Sequence, residues 1–361
     1  MVSYGEGIVG LKAMVERLKP EDKALFDRFF EIRSRRGRLV LPDQLKSWAE
    51  QNLGELGGVE RQELVSVVNK FTFEGASFNK LRASRPVIKE ENFDFQKVLE
   101  ESMGSHLCDP LSMTSEDTFG RIKGKHCITS ANLAKYDALH SLIIFKKHNP
   151  LEFSEELIKD YFSVASKWFV EASKHNKGFI FPFLMWNSLW KAASSIVHGH
   201  MQVLLRDESH FPKARFFRNI SVSYNENFSS DYFKDLFRVH EALGLGFDVK
   251  GAKVFVSLTP VKEKEVFIIA RGSNSLVSVA PAFNHVLSRL VKSGVMSFNF
   301  GAYIPPLEDD GSWKDFPLIL RIVDRGSLSK KTGDIGSMEL YSGQSIIETD
   351  PFGLAELLRK P

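Results

Sequence analysis

The stretch SSIVHGHMQVLL, residues 194–205, carries two histidines and a glutamine at alternate positions. Its apolar residues predict a buried β-strand, in which side chains two residues apart lie on the same face. His198, His200 and Gln202 therefore share one face of the strand, and the apolar residues Met201 and Val203 share the other. Three uses of the histidine pair are open at this point: a pair on a half-wet sheet face, two metal ligands, or catalysis.

The polar residues that precede the pair favour phosphate chemistry. Asn187 and Ser195 complete the pattern N-x7-S-x2-H-x-H-x-Q. Their side chains can donate hydrogen bonds to phosphate oxygens, and a neutral imidazole can attack phosphorus near pH 7. The pattern thus predicts a nucleophilic imidazole surrounded by phosphate-binding groups.

Composition excludes several other classes of protein. The chain has 361 residues, of which 43% are hydrophobic and 26% charged, as in ordinary globular proteins. A net charge of +3 is too small to indicate a nucleic-acid or membrane-surface protein, and the sequence contains no apolar run long enough to span a bilayer. The N-terminus lacks the basic and apolar regions of a secretory signal, so we expect a cytoplasmic protein. Cys108 and Cys127 are too few for a disulfide framework, and one of them is a candidate metal ligand.

Helices and strands are expected in separate parts of the chain. Apolar spacing of three and four predicts helices over the first eighty residues, with an arginine cluster at 33–38 at a solvated helix end. Residues 125–133 and 140–148 predict a β-hairpin. A long helix is expected after Ser154, its N-cap, and two further strands should follow.

This order of elements recurs in the second half of the chain. The segments KVFVSLTPV, EVFIIARG, PAFNHVLSRLVKSG, MSFNFGAYI and FPLILRIVDR repeat the earlier strand, strand, helix, strand order. The repeat predicts two half-units in one sheet system. The second copy has Arg321 where the first has imidazoles, so only the first half keeps the reactive residues.

The histidine stretch resembles the active-site segment of the histidine-triad (HIT-like) superfamily. The branch with glutamine in third place contains galactose-1-phosphate uridylyltransferases and diadenosine tetraphosphate phosphorylases. Four other segments are similar to uridylyltransferase motifs and occur in the same order: FNKLRASRP at 78–86, the segment with Asn132, the strand followed by His148, and GSMELYSG with Glu339. The resemblance covers residues 78–361. This sequence has Gly199 and Met338 where the family has proline and tyrosine.

The resemblance implies an α+β HIT-like fold of two related half-units of antiparallel sheet with packed helices. We expect an N-terminal helical extension at 1–75, a half with the active-site motif at 76–210, and a second half without it at 211–361.

It also implies a ping-pong nucleotidyl transfer, with His200 attacking the α-phosphorus of a nucleotide sugar. The covalent nucleotidyl-histidine would then pass the nucleotide to a sugar 1-phosphate, as in galactose metabolism. Two alternatives stay open: a phosphorylase of dinucleoside polyphosphates or nucleotide sugars that uses inorganic phosphate, and a nucleotide-binding protein without turnover. A homodimer is expected from the relatives.

The family's site residues map onto this sequence one by one. Catalysis would use His200, Gln202 and Ser195, and substrate binding would use Arg82, Arg85, Asn132, Asn187 and Glu339. Simpler readings stay open for some of them: surface ion pairs for the two arginines, a turn for Asn132, and a sheet-edge carboxylate for Glu339.

A metal site is a further implication. Uridylyltransferases hold a structural metal with a C-x-x-C pair, the histidine matched by His148, and the first histidine of the pair, here His198. This sequence has SHLCDP in place of the cysteine pair, so the predicted ligands are His106, Cys108, His148 and His198. These side chains suit tetrahedral zinc, with iron as second choice, and an inert buried thiol at Cys108 is the alternative.

Overall fold

The computed structural model describes residues 7–271, 275–309 and 311–360. Within these ranges the α-helices are α1 (Leu11–Glu16), α2 (Pro20–Phe29), α3 (Asp43–Leu53), α4 (Leu56–Glu60), α5 (Phe95–Glu101), α6 (Pro110–Met113), α7 (Glu155–His175), α8 (Pro212–Phe228), α9 (Tyr232–Ala242), α10 (Leu276–Lys292) and α11 (Pro351–Arg359). The strands are β1 (Phe30–Arg38), β2 (Arg61–Asn69), β3 (Gly75–Phe78), β4 (Cys127–Ala131), β5 (Leu139–Phe145), β6 (Phe181–Ser188), β7 (His200–Arg206), β8 (Gly246–Val249), β9 (Ala252–Val256), β10 (Val266–Ala270), β11 (Phe298–Tyr303), β12 (Leu318–Asp324) and β13 (Gln344–Ile347).

A nine-stranded sheet with the order β4-β5-β7-β6-β11-β12-β10-β9-β8 forms the centre of the molecule, and its pairs are antiparallel. The first four strands and the next four repeat the same arrangement, and they meet where β6 pairs with β11. Helices α7 and α10 pack against each other and against their own halves of the sheet. The predicted repetition of strand, strand, helix, strand is therefore confirmed.

Helix α7 shows why the sequence predicted this part well. Ser154 accepts a hydrogen bond from the backbone N–H of Leu157, and Glu155 and Glu156 occupy the first turn. These are the predicted N-cap and the acidic residues that complement a helix N-terminus. Its buried residues, such as Phe162 and Trp168, recur at helical spacing and face the sheet.

The helical prediction for the first eighty residues is wrong over two segments. Phe30–Arg38 and Arg61–Asn69 are the antiparallel strands β1 and β2, so the arginine cluster at 33–38 lies on a strand. In β2 the buried residues Val65, Val67 and Asn69 alternate with less buried ones. This alternation and the β-branched residues favour a strand. Pairing with distant segments then decides between the helical spacing of three and four residues and the strand spacing of two.

These two strands belong to a second, four-stranded sheet with the order β1-β2-β3-β13. Strand β13 comes from the C-terminal region and pairs with β3 in parallel. This pairing places the segment after β3, which contains Arg82 and Arg85, near the C-terminal segment that contains Glu339. The proposed limits of the three regions, at residues 75 and 210, stay predictions.

Among the described residues, no helix has both the length and the apolar character needed to cross a membrane.

Candidate active site and metal centre

The quoted strand has the facial division that its sequence predicts. Strand β7 begins at His200, and Met201, Val203 and Leu205 are fully buried, on the face that α7 covers. Gln202 lies on the other face of the sheet. In the strand register it is paired with Leu142 of β5 and with Met185 of β6.

His200 is held in one tautomer by the backbone. Its Nδ1 lies 2.9 Å from the carbonyl oxygen of His198, and because a carbonyl can only accept, Nδ1 must carry the proton. Nε2 of the neutral ring then carries the lone pair, and no described residue forms a hydrogen bond with it. Only 7% of His200 is exposed, and burial lowers its pKa, although the bond to His198 acts in the opposite direction. The ring is therefore neutral at pH 7 and presents a nucleophilic nitrogen.

Cys108, His148 and His198 converge at the start of this strand. Cys108 Sγ lies 3.4 Å from Nδ1 of each histidine, and the two Nδ1 atoms lie 3.1 Å apart. Ligands of a tetrahedral zinc at normal bond lengths would be about 3.3–3.8 Å apart, so the three atoms fit around one ion with small adjustments. The exposed His106 is not part of this group of donor atoms.

The outer hydrogen bonds make both imidazoles ready to bind a cation. His198 Nε2 lies 2.8 Å from the carbonyl oxygen of Phe145, so Nε2 donates and Nδ1 is left with a lone pair. His148 Nε2 lies 2.8 Å from the Ser102 hydroxyl, which already donates to the carbonyl of Leu99. His148 Nε2 is then the donor to Ser102, and its Nδ1 is also unprotonated. Two lone pairs facing each other beside a thiol are stabilised by a metal ion, and such outer partners are typical of metal-binding histidines.

A strained loop connects Asn187 to the histidines. Leu189 has φ +64° and ψ 174°, a conformation that residues other than glycine rarely adopt, and Ala193 has φ +66°. Such backbone conformations cost about 1–3 kcal/mol each and cluster at functional sites. Ser195 is exposed near the end of this loop. This strain immediately before the histidine pair makes the loop a candidate ligand-binding segment.

Asn187 is linked to the C-terminal region by hydrogen bonds. Its side-chain oxygen accepts from Asn299 Nδ2 at 2.8 Å, and Asn299 Oδ1 in turn accepts from Arg325. Arg325 forms a two-pronged ion pair with Asp334, with N–O distances of 2.6 and 2.8 Å. Because Asn187 and Asn299 lie directly opposite each other on β6 and β11, this network joins the two halves of the sheet.

Arg82, Arg85 and Glu339, three of the predicted substrate-binding residues, line one cavity of about 510 Å³. His200 is not among the residues that line it; the hydrogen-bond network through Arg325 connects the cavity to Asn187. Arg85 lies 4.0 Å from Glu348, and Arg82 Nε is buried without a hydrogen-bond partner. Four further cationic side chains line the same cavity: Lys191, Lys262, Arg325 and Lys330. Five carboxylates line the cavity as well: Glu263, Asp324, Asp334, Glu339 and Glu348. The cations exceed them by one, and ion pairs such as Arg325 with Asp334 and Lys262 with Glu339 already use part of the positive charge. The buried, unpartnered Nε of Arg82 is therefore the feature of this cavity that best suits an anion.

Glu339 is already engaged by the protein. Its carboxylate accepts from the backbone N–H groups of Gly336 at 2.9 Å and Ile346 at 3.2 Å, and Lys262 Nζ lies 3.5 Å away. Burial alone raises the pKa of Glu339, but these donors more than compensate and lower it below its usual range. The carboxylate is therefore ionised and holds the segment 336–346 together.

Asn132 packs against His140 rather than standing free. Its Nδ2 lies 3.2 Å from His140 Nε2, and its Oδ1 accepts from the backbone N–H of Ala134. The turn role that the sequence left open for Asn132 is thus present in the structure. A role in binding substrate stays a prediction.

Gly199 separates the two histidines, where the motif that this stretch resembles has proline, and the structure shows why a larger residue does not fit. A Cβ atom at this position would lie 2.5 Å from Phe145 Cδ2 and 3.2 Å from Pro150 Cα. The Gly199 N–H also donates to the carbonyl of His148 at 2.9 Å, a bond that proline cannot make. The Phe145 ring occupies the space that a side chain would need.

Four residues of this region were not predicted from the sequence: Asn299, Arg325, Lys191 and Lys262. Lys191 lies in the strained loop and donates to the carbonyl of Thr332 at 3.0 Å. Its place in the N-x7-S segment was a usable signal. Asn299 lies 112 residues from Asn187 in the sequence and Arg325 lies further still, and only the pairing of β6 with β11 brings them to the motif.

No family model matches this sequence, and no curated protein matches it by sequence. Its fold, however, matches solved structures. An ADP-glucose phosphorylase from Arabidopsis thaliana aligns with a TM-score of 0.59 at 15% identity, covering 80% of this chain and 95% of the other. A GalT-like protein from the same organism gives 0.57 at 15%, covering 72% and 92%. A uridylyltransferase gives 0.56 at 14%, covering 81% and 96%. The predicted α+β HIT-like fold is therefore confirmed.

Proposed function

We propose that this protein is a nucleotidyltransferase that moves a nucleoside monophosphate through a covalent intermediate on His200. The observation that carries the proposal is the bond from His200 Nδ1 to the carbonyl of His198, which leaves the Nε2 lone pair without a protein partner. The proteins with this fold include a phosphorylase of ADP-glucose and a uridylyltransferase, and both names fit this chemistry.

In the first step, His200 Nε2 attacks the α-phosphorus of a nucleotide sugar. A P–N bond forms, the bond from phosphorus to the bridging oxygen breaks, and sugar 1-phosphate leaves with that electron pair. In the second step, an oxygen of the acceptor phosphate attacks the same phosphorus, and the imidazole leaves. Nε2 carries no proton that must be removed, so no carboxylate base is needed, and sugar phosphates leave without a strong acid.

The remaining predicted residues have supporting roles in this proposal. Gln202, Ser195 and Asn187 would donate hydrogen bonds to the phosphoryl oxygens as negative charge develops there. Arg82 and Arg85 would bind the diphosphate, since a guanidinium can pair two N–H groups with phosphate oxygens.

We infer that Cys108, His148 and His198 hold a zinc ion, with iron as second choice. The ion would be structural, because it ties the segment before α6 to the ends of β5 and β7. The ligands of a zinc site normally number four, and His106 stays the predicted fourth.

The acceptor is either a sugar 1-phosphate or inorganic phosphate. A sugar 1-phosphate is the leading proposal, by similarity to the uridylyltransferase motifs. Inorganic phosphate is favoured by one observation: Glu339, the expected sugar-binding carboxylate, already accepts two backbone N–H groups beside Lys262. In that case the enzyme would be a nucleotide-sugar phosphorylase.

The test uses UDP-glucose and ADP-glucose labelled at the α-phosphate. We expect acid-labile label on the wild-type protein, no label on His200→Ala, and normal label on the control His175→Ala, which changes an exposed histidine of α7. Label on a folded His200→Ala variant would contradict the mechanism. Wild-type protein that binds either nucleotide sugar without becoming labelled would support a binding protein instead.

The labelled enzyme then identifies the acceptor. Glucose 1-phosphate, galactose 1-phosphate or inorganic phosphate is added, and the product is identified by its mass. Glu339→Gln should slow discharge to a sugar phosphate and leave discharge to inorganic phosphate unchanged if Glu339 contacts the sugar. Equal effects on both acceptors would assign Glu339 only to the loop that it holds.

A further inference from the structure

A buried histidine outside the motif is in contact with Gln202. His140 of β5 is fully buried, and its Nε2 lies 2.9 Å from Gln202 Oε1. Its Nδ1 lies 3.0 Å from the backbone nitrogen of Tyr136. A backbone N–H can only donate, so Nδ1 must be the acceptor and the proton of the neutral ring must be on Nε2.

This tautomer determines how the Gln202 amide is turned. Because His140 Nε2–H is a donor, the end of the amide that faces it must be the oxygen. The NH2 group of Gln202 is then not used by His140 and keeps both of its N–H donors for another acceptor. Without this partner the glutamine amide could turn over, and its oxygen rather than its NH2 group could face a phosphate.

The His140 ring is fixed on several sides. Tyr136 stacks on it with a centroid distance of 4.6 Å and an interplanar angle of 29°. Asn132 Nδ2 lies 3.2 Å from Nε2 and 3.4 Å from Nδ1, so it contacts the ring without being directed at either nitrogen alone, and Gln202 Oε1, at 2.9 Å, is the acceptor for Nε2–H. Burial lowers the pKa of His140, and although Gln202 opposes this effect, the ring is neutral at pH 7. A rigid, neutral donor is suited to hold one orientation of its partner.

The second half of the sheet has a different pair at the matching place. Gln202 lies opposite Leu142, two residues after His140, and Arg321 lies opposite Phe267, two residues after Glu265. Arg321 and Glu265 form an ion pair with N–O distances of 2.6 and 2.7 Å. Within the described repeat, the histidine and glutamine pair thus occurs in the half that has His200, and the other half has a pair without an amide to orient.

We propose that His140 is a positioning residue that directs the Gln202 amide N–H groups toward the phosphoryl oxygens during transfer to His200. The proposal rests on the proposed function of His200. His140 itself contacts no reacting atom; it acts through Gln202.

Two measurements test this role. Long-range ¹H–¹⁵N correlation spectra of protein labelled with ¹⁵N-histidine report the tautomer of each ring without any substrate. We expect His140, assigned by its loss in His140→Phe, to carry its proton on Nε2. A proton on Nδ1 would overturn the proposal even if His200 is labelled as expected.

The second measurement is a double-mutant cycle on the rate of labelling. Gln202→Ala should slow labelling about 100-fold, as the loss of one transition-state donor does. His140→Phe should slow it about 10- to 100-fold with little change in nucleotide-sugar affinity, and the double variant should be no slower than Gln202→Ala alone.

A matched control separates positioning from general stability. His240 is also fully buried, donates to the carbonyl of Leu236 and lies in the other half of the protein. In a His240→Phe background, Gln202→Ala should keep its full 100-fold effect. If Gln202→Ala also slows labelling by its full factor in the His140→Phe background, His140 does not act through Gln202 and has only a structural role. Wild-type protein that never becomes labelled would end the proposed function itself, whatever the tautomer.

Discussion

Substitution of Gly199 by proline, the residue of the similar motif, should destabilise this protein. A Cβ atom here meets Phe145 Cδ2 at 2.5 Å. The Phe145 ring cannot move away easily, because it stacks on Tyr161 at 3.9 Å and contacts the edge of Trp186 at 5.1 Å. The second contact, at 3.2 Å, is with backbone at Pro150. Overpacking of this kind costs about 1–3 kcal/mol.

Proline adds the loss of a hydrogen bond. The Gly199 N–H donates to the carbonyl of His148, and a typical bond contributes about 0.5–1.5 kcal/mol. Alanine keeps this N–H and adds only the overpacking, so we expect Gly199→Ala to lower the free energy of unfolding by about 1–3 kcal/mol. Gly199→Pro should lower it by about 1.5–4.5 kcal/mol, the sum of both losses.

Urea unfolding followed by circular dichroism measures both variants. The matched control is Gly353→Ala in helix α11, where a Cβ has no atom within 4 Å, and which should gain about 0.5–1 kcal/mol from helix propensity. A Gly199→Pro protein as stable as the wild type would refute the reasoning, because it would mean that Phe145 yields at no cost.

Three other predictions concern the metal and the buried charges. Cys108→Ala should lower the zinc content of purified protein, measured by mass spectrometry, at least tenfold, whereas Cys127→Ala should keep it; equal content in both would remove the metal assignment. Arg321→Leu should cost about 3–5 kcal/mol in urea unfolding, because it leaves the Glu265 carboxylate buried without its cation; a loss below 1 kcal/mol would contradict this. Burial, only partly offset by Arg321, raises the pKa of Glu265 from 4.5 to about 7. Its protonation therefore stabilises the folded protein fully below pH 4.5, and this contribution is lost as the pH rises through 7. Glu265→Gln should flatten the plot of unfolding free energy against pH between 4.5 and 7, and an unchanged plot would exclude Glu265 as the cause of the slope.

Local sequence signals predicted the central sheet because they agree with its tertiary contacts. The Ser154 cap and helical apolar spacing specify α7, and the alternation around His200 specifies which face of β7 is buried. In β2, however, Leu64, Val65, Val67 and Val68 fit both a helix and a strand by spacing. Pairing with β1 and β3 decides for the strand, and that information lies outside any short window.

The residues of the candidate site also fall into two groups: those that a short stretch of sequence reveals and those that only the fold brings together. His198, His200 and Gln202 were recognisable because one strand places them side by side. Cys108 is 40 residues from His148 and 90 residues from His198 in the sequence, and the fold brings their side chains together. The residue types and the family resemblance predicted that Cys108, His148 and His198 would lie together. The sequence could not show that His106 lies apart from these three donor atoms, because its position depends on the path of the segment at 105–108. Asn299 gave no sequence signal, because its importance comes only from lying opposite Asn187.

The two halves differ in what covers the face on which Gln202 and Arg321 lie. In the second half, α8, α9 and the paired strands β1 and β2 cover this face, and Phe217 and Phe267 contact the Arg321 guanidinium at 5.5 and 4.5 Å. The cavity that remains beside Phe267 holds about 10 Å³, about the space of one water molecule, whereas the cavity that Arg82 and Arg85 line holds about 510 Å³.

The space beside Arg321 is therefore too small for a phosphate, and an imidazole at that position would have no substrate to attack. A buried, unliganded polar pair is costly, and an ion pair satisfied by Arg321, Glu265 and Glu74 is a stable replacement for it. The N-terminal region contributes to this difference between the halves: its packing on the second half leaves little space beside Arg321, and it supplies Glu74 as a partner for the arginine. On this argument, Glu74→Gln should destabilise the protein in urea without changing the labelling of His200, and a loss of labelling in a stable Glu74→Gln protein would show that the second half takes part in transfer.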